Sequence, residues 1–186
     1  MRILLAALAG AIAMFVWTAV AHMATPLGRI GFSQMPNEAA VIQPMGTNIG
    51  AQPGLYIFPY VDPNDPKMME KYNDIAKTSP SGMLLYRPAG DLMGADMTPM
   101  LIKEFIKQFV QALIAAWIVS RIAASFIGRT AVVTAIGVST GIATNVSYWN
   151  WYGFPLNYTE AQIIVEVVSA LVAGLAISAV LPRKVA

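Results

Sequence analysis

Apolar positions along the chain gather into four runs, near residues 3–21, 105–120, 130–149 and 161–181, with one long polar insert between the first run and the other three. Each run approaches or reaches the ~20 residues that a helix needs to cross a bilayer core. The pattern predicts an all-α integral membrane protein with four transmembrane helices and an extracytoplasmic insert between helices one and two. The expected boundaries are a first transmembrane helix at 1–23, the insert at 24–98, a three-helix membrane region at 99–182 and a tail at 183–186.

The first run follows Met1-Arg2, and Ala19, Ala21 and Ala24 offer small residues for signal cleavage. From Ile3 to Ala21 it is longer than the apolar core of about 7–15 residues found in signal peptides. A retained signal anchor is therefore expected. In the insert, Pro and Gly recur from Pro26 to Pro63, which predicts irregular chain with short strands. Leu55–Phe58 and Met83–Tyr86 are strand-like runs bounded by Gly and Pro, and they predict a small hairpin. Between them, Asn64 or Asp65 is placed to cap a short amphipathic helix starting at Pro66, with Met69, Tyr72 and Ile75 on one face and Ser79-Pro80 as its stop.

Thr98-Pro99 predicts the start of the second membrane helix, running to about Phe126, or about 42 Å at ~1.5 Å per residue. Its first turns, with Lys103, Glu104 and Lys107, belong in the outer headgroup layer. Glu104, Gln108, Gln111 and Ala115 then make one polar-to-small stripe that needs a partner helix. After a tight turn at Ser125–Thr130, helix three presents Thr130, Thr134, Gly137, Gly141 and Asn145, and helix four presents Ala170, Gly174 and Ser178. Small residues at that spacing allow backbones to approach closely, either between these two helices or against a partner. The expected outer loop at 148–158 carries Tyr148, Trp149, Trp151, Tyr152, Phe154 and Tyr158. An interfacial aromatic belt accounts for these rings, which are also suited to protein or lipid contact and to stacking on a quinone or pigment.

Composition sharpens the class: the 186 residues are 56% hydrophobic and 12% charged, with a net charge of +2. The basic residues are scattered singly, so no nucleic-acid surface is expected. The chain has no cysteine, which excludes disulfides, thiolate ligands and a cysteine nucleophile. His22 is the only histidine, at the outer end of helix one, where an interfacial or packed role outweighs service as an axial haem or chlorin ligand. Asp62-Pro63-Asn64-Asp65 offers three oxygen-bearing side chains but lacks a calcium loop's central Gly and later Glu, so a turn is expected and no metal.

Four crossings put Arg2, Arg121, Arg129, Arg183 and Lys184 on one side without an acidic residue. The insert instead has seven acidic and five basic side chains, Glu38, Asp62, Asp65, Glu70, Asp74, Asp91 and Asp96 against Arg29, Lys67, Lys71, Lys77 and Arg87. The positive-inside rule then places both termini in the cytoplasm of a bacterial inner membrane and residues 24–98 in the periplasm. With helix four starting at Thr159-Glu160, Glu166 is expected about 9 Å further in, near the outer interface, paired with Lys107 or Lys103. It is the leading candidate functional residue.

No HExxH, GxSxG, GxGxxG or Walker sequence is present, which weighs against an enzyme. No inverted repeat or pair of interrupted helices marks a carrier. The leading expectation is a noncatalytic accessory subunit of a larger inner-membrane complex, docking through its insert and its small-residue helix faces. The alternatives are a homo-oligomeric pore or carrier, with Gln111 facing the axis, and a lipid- or quinone-binding membrane protein. Other membrane subunits and lipids are the expected partners, and no cofactor is predicted beyond a structural lipid.

Overall fold

The computed structural model describes residues 1–91 and 96–182, so the expected tail at 183–186 lies outside the described residues. In chain order the elements are α1 (Arg2–Met23), α2 (Glu38–Ile49), β1 (Gly54–Phe58), α3 (Met68–Ala76), β2 (Gly82–Tyr86), α4 (Thr98–Arg121), α5 (Phe126–Tyr152) and α6 (Leu156–Val180). The chain divides into two compact units, Met1–Phe32 with Asp96–Ala186, and Ser33–Ala95.

In the first unit α1, α5 and α6 are long and apolar enough to cross a membrane, which makes this a multi-pass membrane protein. The fourth expected span forms as α4, but with Lys103, Glu104 and Lys107 in its first half it is not among those three. α1 lies between α4 and α6, and α5 packs on the far side of α6. Neighbours run antiparallel. Gly10 of α1 sits against Ala112 of α4 and Ile177 of α6, while about two turns later Trp17 Nε1 donates to Val165 O at 3.0 Å and Thr18 meets Gln108. The core is mostly alanine, with Ala6, Ala7 and Ala11 facing Ala112, Ala116 and Ala173, closed by Val119 and Ile177. Such small side chains let helix axes approach, so packing contacts replace the hydrophobic drive that lipid does not supply.

The stripes on α5 and α6 meet each other. Gly137 lies against Ala170, Gly141 against Glu166 and Gly174 against Thr130, whose hydroxyl also donates to Gly174 O and lies 3.3 Å from Ser178 Oγ. Asn145 spends its amide on Gly141 O within α5.

Several boundaries differ from the sequence expectation. α4 ends at Arg121, five residues before Phe126, and is about 36 Å long at ~1.5 Å per residue. Thr98 is not its cap: Asp96 Oδ1 accepts the Thr98 N–H at 2.9 Å. Gly128 and Arg129 belong to α5, not to a turn, because Ser125 Oγ accepts the Gly128 N–H at 3.1 Å and starts the helix early. The aromatic loop shrinks to Gly153–Pro155. Tyr148–Tyr152 continue α5 until Gly153, at φ 71°, turns the chain so that its N–H reaches Tyr148 O. α6 accordingly begins at Leu156, three residues before Thr159.

The Ser33–Ala95 unit contains a helix that the density of Pro and Gly had concealed. α2 forms because Glu38, Ala39 and Ala40 favour a helical first turn, and Pro44 sits inside it at the cost of one backbone hydrogen bond. β1 and β2 pair antiparallel as expected, with Tyr56 opposite Leu84 and Leu55 opposite Leu85. On one face Tyr56 and Tyr86 contact edge to face, and their hydroxyls donate to Gln52 O and Gly50 O. The other face presents Leu55, Ile57 and Leu85 exposed. α3 starts at Met68, two residues after Pro66, because Asp62 and Asp65 each close a turn of their own, on Asn64 N and Lys67 N.

Candidate functional site

With α6 starting at Leu156, Glu166 falls in the first half of the helix. It lies ten residues into the helix, about 15 Å along the axis at ~1.5 Å per residue. The Cβ of Glu166 packs over Gly141, and the missing side chain there is what lets α5 come so close. α4 and α5 touch little, since both lean on the α1–α6 pair, and a groove opens between them.

The groove encloses about 200 Å³. Its walls are apolar, from Met14 of α1, Ile114 and Ala115 of α4, Val133 and Ile136 of α5, and Ala170 and Ala173 of α6. Three polar side chains face it: Gln111, Thr140 and Glu166. Thr140 is committed, its hydroxyl donating to Ile136 O and Gly137 O at 3.1 and 3.0 Å. Glu166 and Gln111 have no side-chain hydrogen bond or ion pair among the described residues. A carboxyl group beside an open amide on an otherwise apolar groove is costly in lipid unless a donor completes it.

The stripe read on α4 splits between two surroundings. Gln108, 1% exposed, faces α1, where its amide nitrogen donates to Thr18 Oγ1 at 3.0 Å and to Glu104 Oε1 at 2.8 Å. Lys107 donates to the same Glu104 oxygen at 2.8 Å. Lys107 is therefore the partner of Glu104 and not of Glu166, and only Gln111 of the stripe joins Glu166 in the groove.

The aromatic residues form a shelf rather than a pocket. Tyr148 stacks on Phe154 at 5.3 Å between ring centroids, Phe154 meets Tyr158 at 5.3 Å, and Tyr158 meets Phe32 edge-on at 5.6 Å. Tyr152 leans on Tyr148, while Trp149 and Trp151 stand exposed with no ring partner among the described residues. His22 is exposed at the end of α1 with Nδ1 donating to Thr18 O at 2.9 Å. In the insert, the Lys71 ammonium and the Lys67 N–H hold the Asp65 carboxyl below the usual carboxylate range. Its oxygens are thus occupied by chain-internal donors, and no group of three metal-ligating side chains forms among the described residues.

Sequence reasoning missed Arg129 as a buried group. It is 2% exposed, and Nη1 donates to Leu181 O at 3.3 Å and to Pro182 O at 2.8 Å, the carbonyls that end α6. A cation at a helix C-terminus is favourable, and the Leu181-Pro182 stop shortly after Ser178 was the available signal. No protein-family model, curated protein or solved structure matches the chain.

Proposed function

We propose that the chain is a noncatalytic accessory subunit of a larger bacterial inner-membrane complex. It crosses the membrane four times, with both termini in the cytoplasm and residues 24–98 in the periplasm. The observation that carries this reading is the Ser33–Ala95 unit, in which none of the described residues is buried. A lone two-stranded hairpin is marginal in water, and this one leaves Leu55, Ile57 and Leu85 open on one face, Leu85 at 71%. Covering such side chains is worth roughly 1.5–3 kcal/mol each, and a partner surface supplies that burial.

The direction of the helices supports the fourth crossing. α1 runs from its Arg2 end to its His22 end, yet α5 starts with Arg129 back at the Arg2 end, where both line one cavity. α4 is the segment that makes the return, with Arg121 closing it at that same end. Arg2, Arg121 and Arg129 together favour the cytoplasmic side. The central position of α1 favours its retention as an anchor. Within the membrane, the groove with Glu166 and Gln111 suits a partner helix that brings hydrogen-bond donors. A second reading, in which the groove takes a quinone or a lipid tail, draws on its apolar walls.

The test is purification from the native membrane in mild detergent, with every comigrating chain identified and a photoreactive residue placed at Leu85. A stoichiometric foreign membrane chain, also crosslinked at Leu85, is the expected result. Glu166→Gln, which keeps an acceptor, should retain it, and Glu166→Leu should reduce its recovery about tenfold, the scale of one hydrogen bond. A homogeneous homo-oligomer or a lone monomer overturns the reading, and a co-purified quinone in that case favours the second.

A further inference from the structure

At the opposite end of the bundle from the aromatic shelf, Arg2 of α1, Arg121 of α4 and Arg129 of α5 line one open cavity of about 400 Å³ with Ile3, Ser120, Leu181 and Pro182. No carboxylate contributes to its wall, and none of the three arginines has an ion-pair partner among the described residues. The side-chain carboxylates among the described residues of this unit, Asp96, Glu104, Glu160 and Glu166, all lie in the other half of their helices or before them. Arg129 is buried, its Nη1 is used by the Leu181 and Pro182 carbonyls, and its Nε has no partner. Arg121 is held over the Trp117 ring at 5.4 Å. Three cations converging without a counter-charge among the described residues repel one another, and an anion in the open cavity relieves that repulsion.

We propose that this cavity binds a phosphate group, supplied by the head group of an anionic phospholipid. Guanidinium N–H groups match phosphate oxygens in pairs, and Arg2 and Arg121, both exposed, reach the cavity from two helices beside the buried charge of Arg129. The position at the ends of α1, α4, α5 and α6 is the headgroup level of a membrane crossed by the bundle, where basic pockets between helices hold acidic lipids. Ile3 and Leu181 on the same wall give the first methylenes of the acyl chains an apolar surface. The site rests on the bundle crossing a membrane and not on the accessory-subunit reading. It ties the ends of three helices together through a molecule that the chain does not encode.

Detergent-purified full-length protein is titrated with phosphatidylglycerol, with zwitterionic phosphatidylcholine and with inorganic phosphate, and binding is read by native mass spectrometry and by the shift in thermal unfolding. Phosphatidylglycerol is expected to bind and stabilise, and phosphatidylcholine is not. Arg121→Gln, at an exposed site that tolerates the change, should weaken phosphatidylglycerol about tenfold. Arg2→Gln with Arg121→Gln should abolish the preference for the anionic lipid. Lys103→Gln removes one charge from α4 near its other end and should leave binding unchanged. Displacement of the lipid by millimolar inorganic phosphate supports the site and shows that the bare anion is also a ligand; no displacement supports the site with the lipid as its occupant. Equal binding of the two lipids, or an Arg121→Gln protein indistinguishable from wild type, overturns the proposal.

Discussion

At the scale of single residues, the α5–α6 contact depends on the absence of one methyl group. A Cβ built on Gly137 would lie 2.1 Å from the Cβ of Ala170 and 3.4 Å from Glu166 O, so neither neighbour can yield without moving a helix. Gly137→Ala should therefore lower stability by about 1–3 kcal/mol, the usual scale of overpacking, despite alanine's better helix propensity. Gly46 in α2 is the matched comparison, since nothing lies within 4 Å of its Cβ position. There Gly46→Ala should stabilise α2 by roughly 0.5–1 kcal/mol. Thermal unfolding in detergent reads the first change, and amide exchange within α2 reads the second. Equal, favourable responses at both sites would mean that α5 and α6 are not packed as described. Glu166 belongs to the same contact, because the space over Gly141 that admits its Cβ also aims its carboxyl group past α5 into the groove.

Among the elements, α4 begins beside a titrating carboxylate, since Asp96 Oδ1 accepts the N–H of its first residue, Thr98. The Thr98 backbone N–H and hydroxyl hold the Asp96 carboxyl below the ordinary aspartate value of 3.8. A depressed value in the folded state means that the contact stabilises fully above 3.8 and is lost as pH falls through the lower folded value. The amides of the first turn of α4 should thus lose protection against exchange in acid below that range, and Asp96→Asn should flatten the dependence while keeping an acceptor. An unchanged acid profile in Asp96→Asn would assign the effect elsewhere. Helix starts also show where sequence reading reached its limit. Apolar runs located all four long helices, and Gly- and Pro-bounded strand runs located the hairpin, because burial and turn chemistry are written locally. The start of α4 at Thr98 was legible, but α5 starts early because Ser125 Oγ holds the Gly128 N–H, a local contact that its sequence of small and polar residues does not announce. α2 was hidden because Pro44 and Gly46 read as breakers, although the Glu38-Ala39-Ala40 turn precedes both. The candidate site was half legible: Glu166 and Gln111 stood out as polar residues in apolar runs. Their meeting across a groove, and the diversion of Lys107 to Glu104, depend on which faces α4 and α5 turn to α1 and α6.

For the whole molecule, the decisive quantity is the number of crossings, because it sets which face each loop presents to a partner. Three crossings by α1, α5 and α6 alone would put Ser125 and the Gly153–Pro155 connection on opposite sides from those that four crossings give. In the four-crossing arrangement Arg2, Arg121 and Arg129 share one end and the aromatic shelf occupies the other, so charge and aromatic belts each fall at one interface. In the three-crossing arrangement α4 would have to lie outside the bilayer with Ile102, Ile106, Ile114 and Trp117 exposed to water, an apolar surface that a soluble helix does not carry. The absence of cysteine makes the distinction direct, since any thiol introduced is the only one present. In intact cells a membrane-impermeant maleimide should label Ser81→Cys in the insert and Asn157→Cys beside the shelf. Ser125→Cys should react only after the inner membrane is permeabilised. Labelling of Ser125→Cys from outside, with Asn157→Cys protected, would remove α4 from the membrane and with it the groove that Gln111 and Glu166 share.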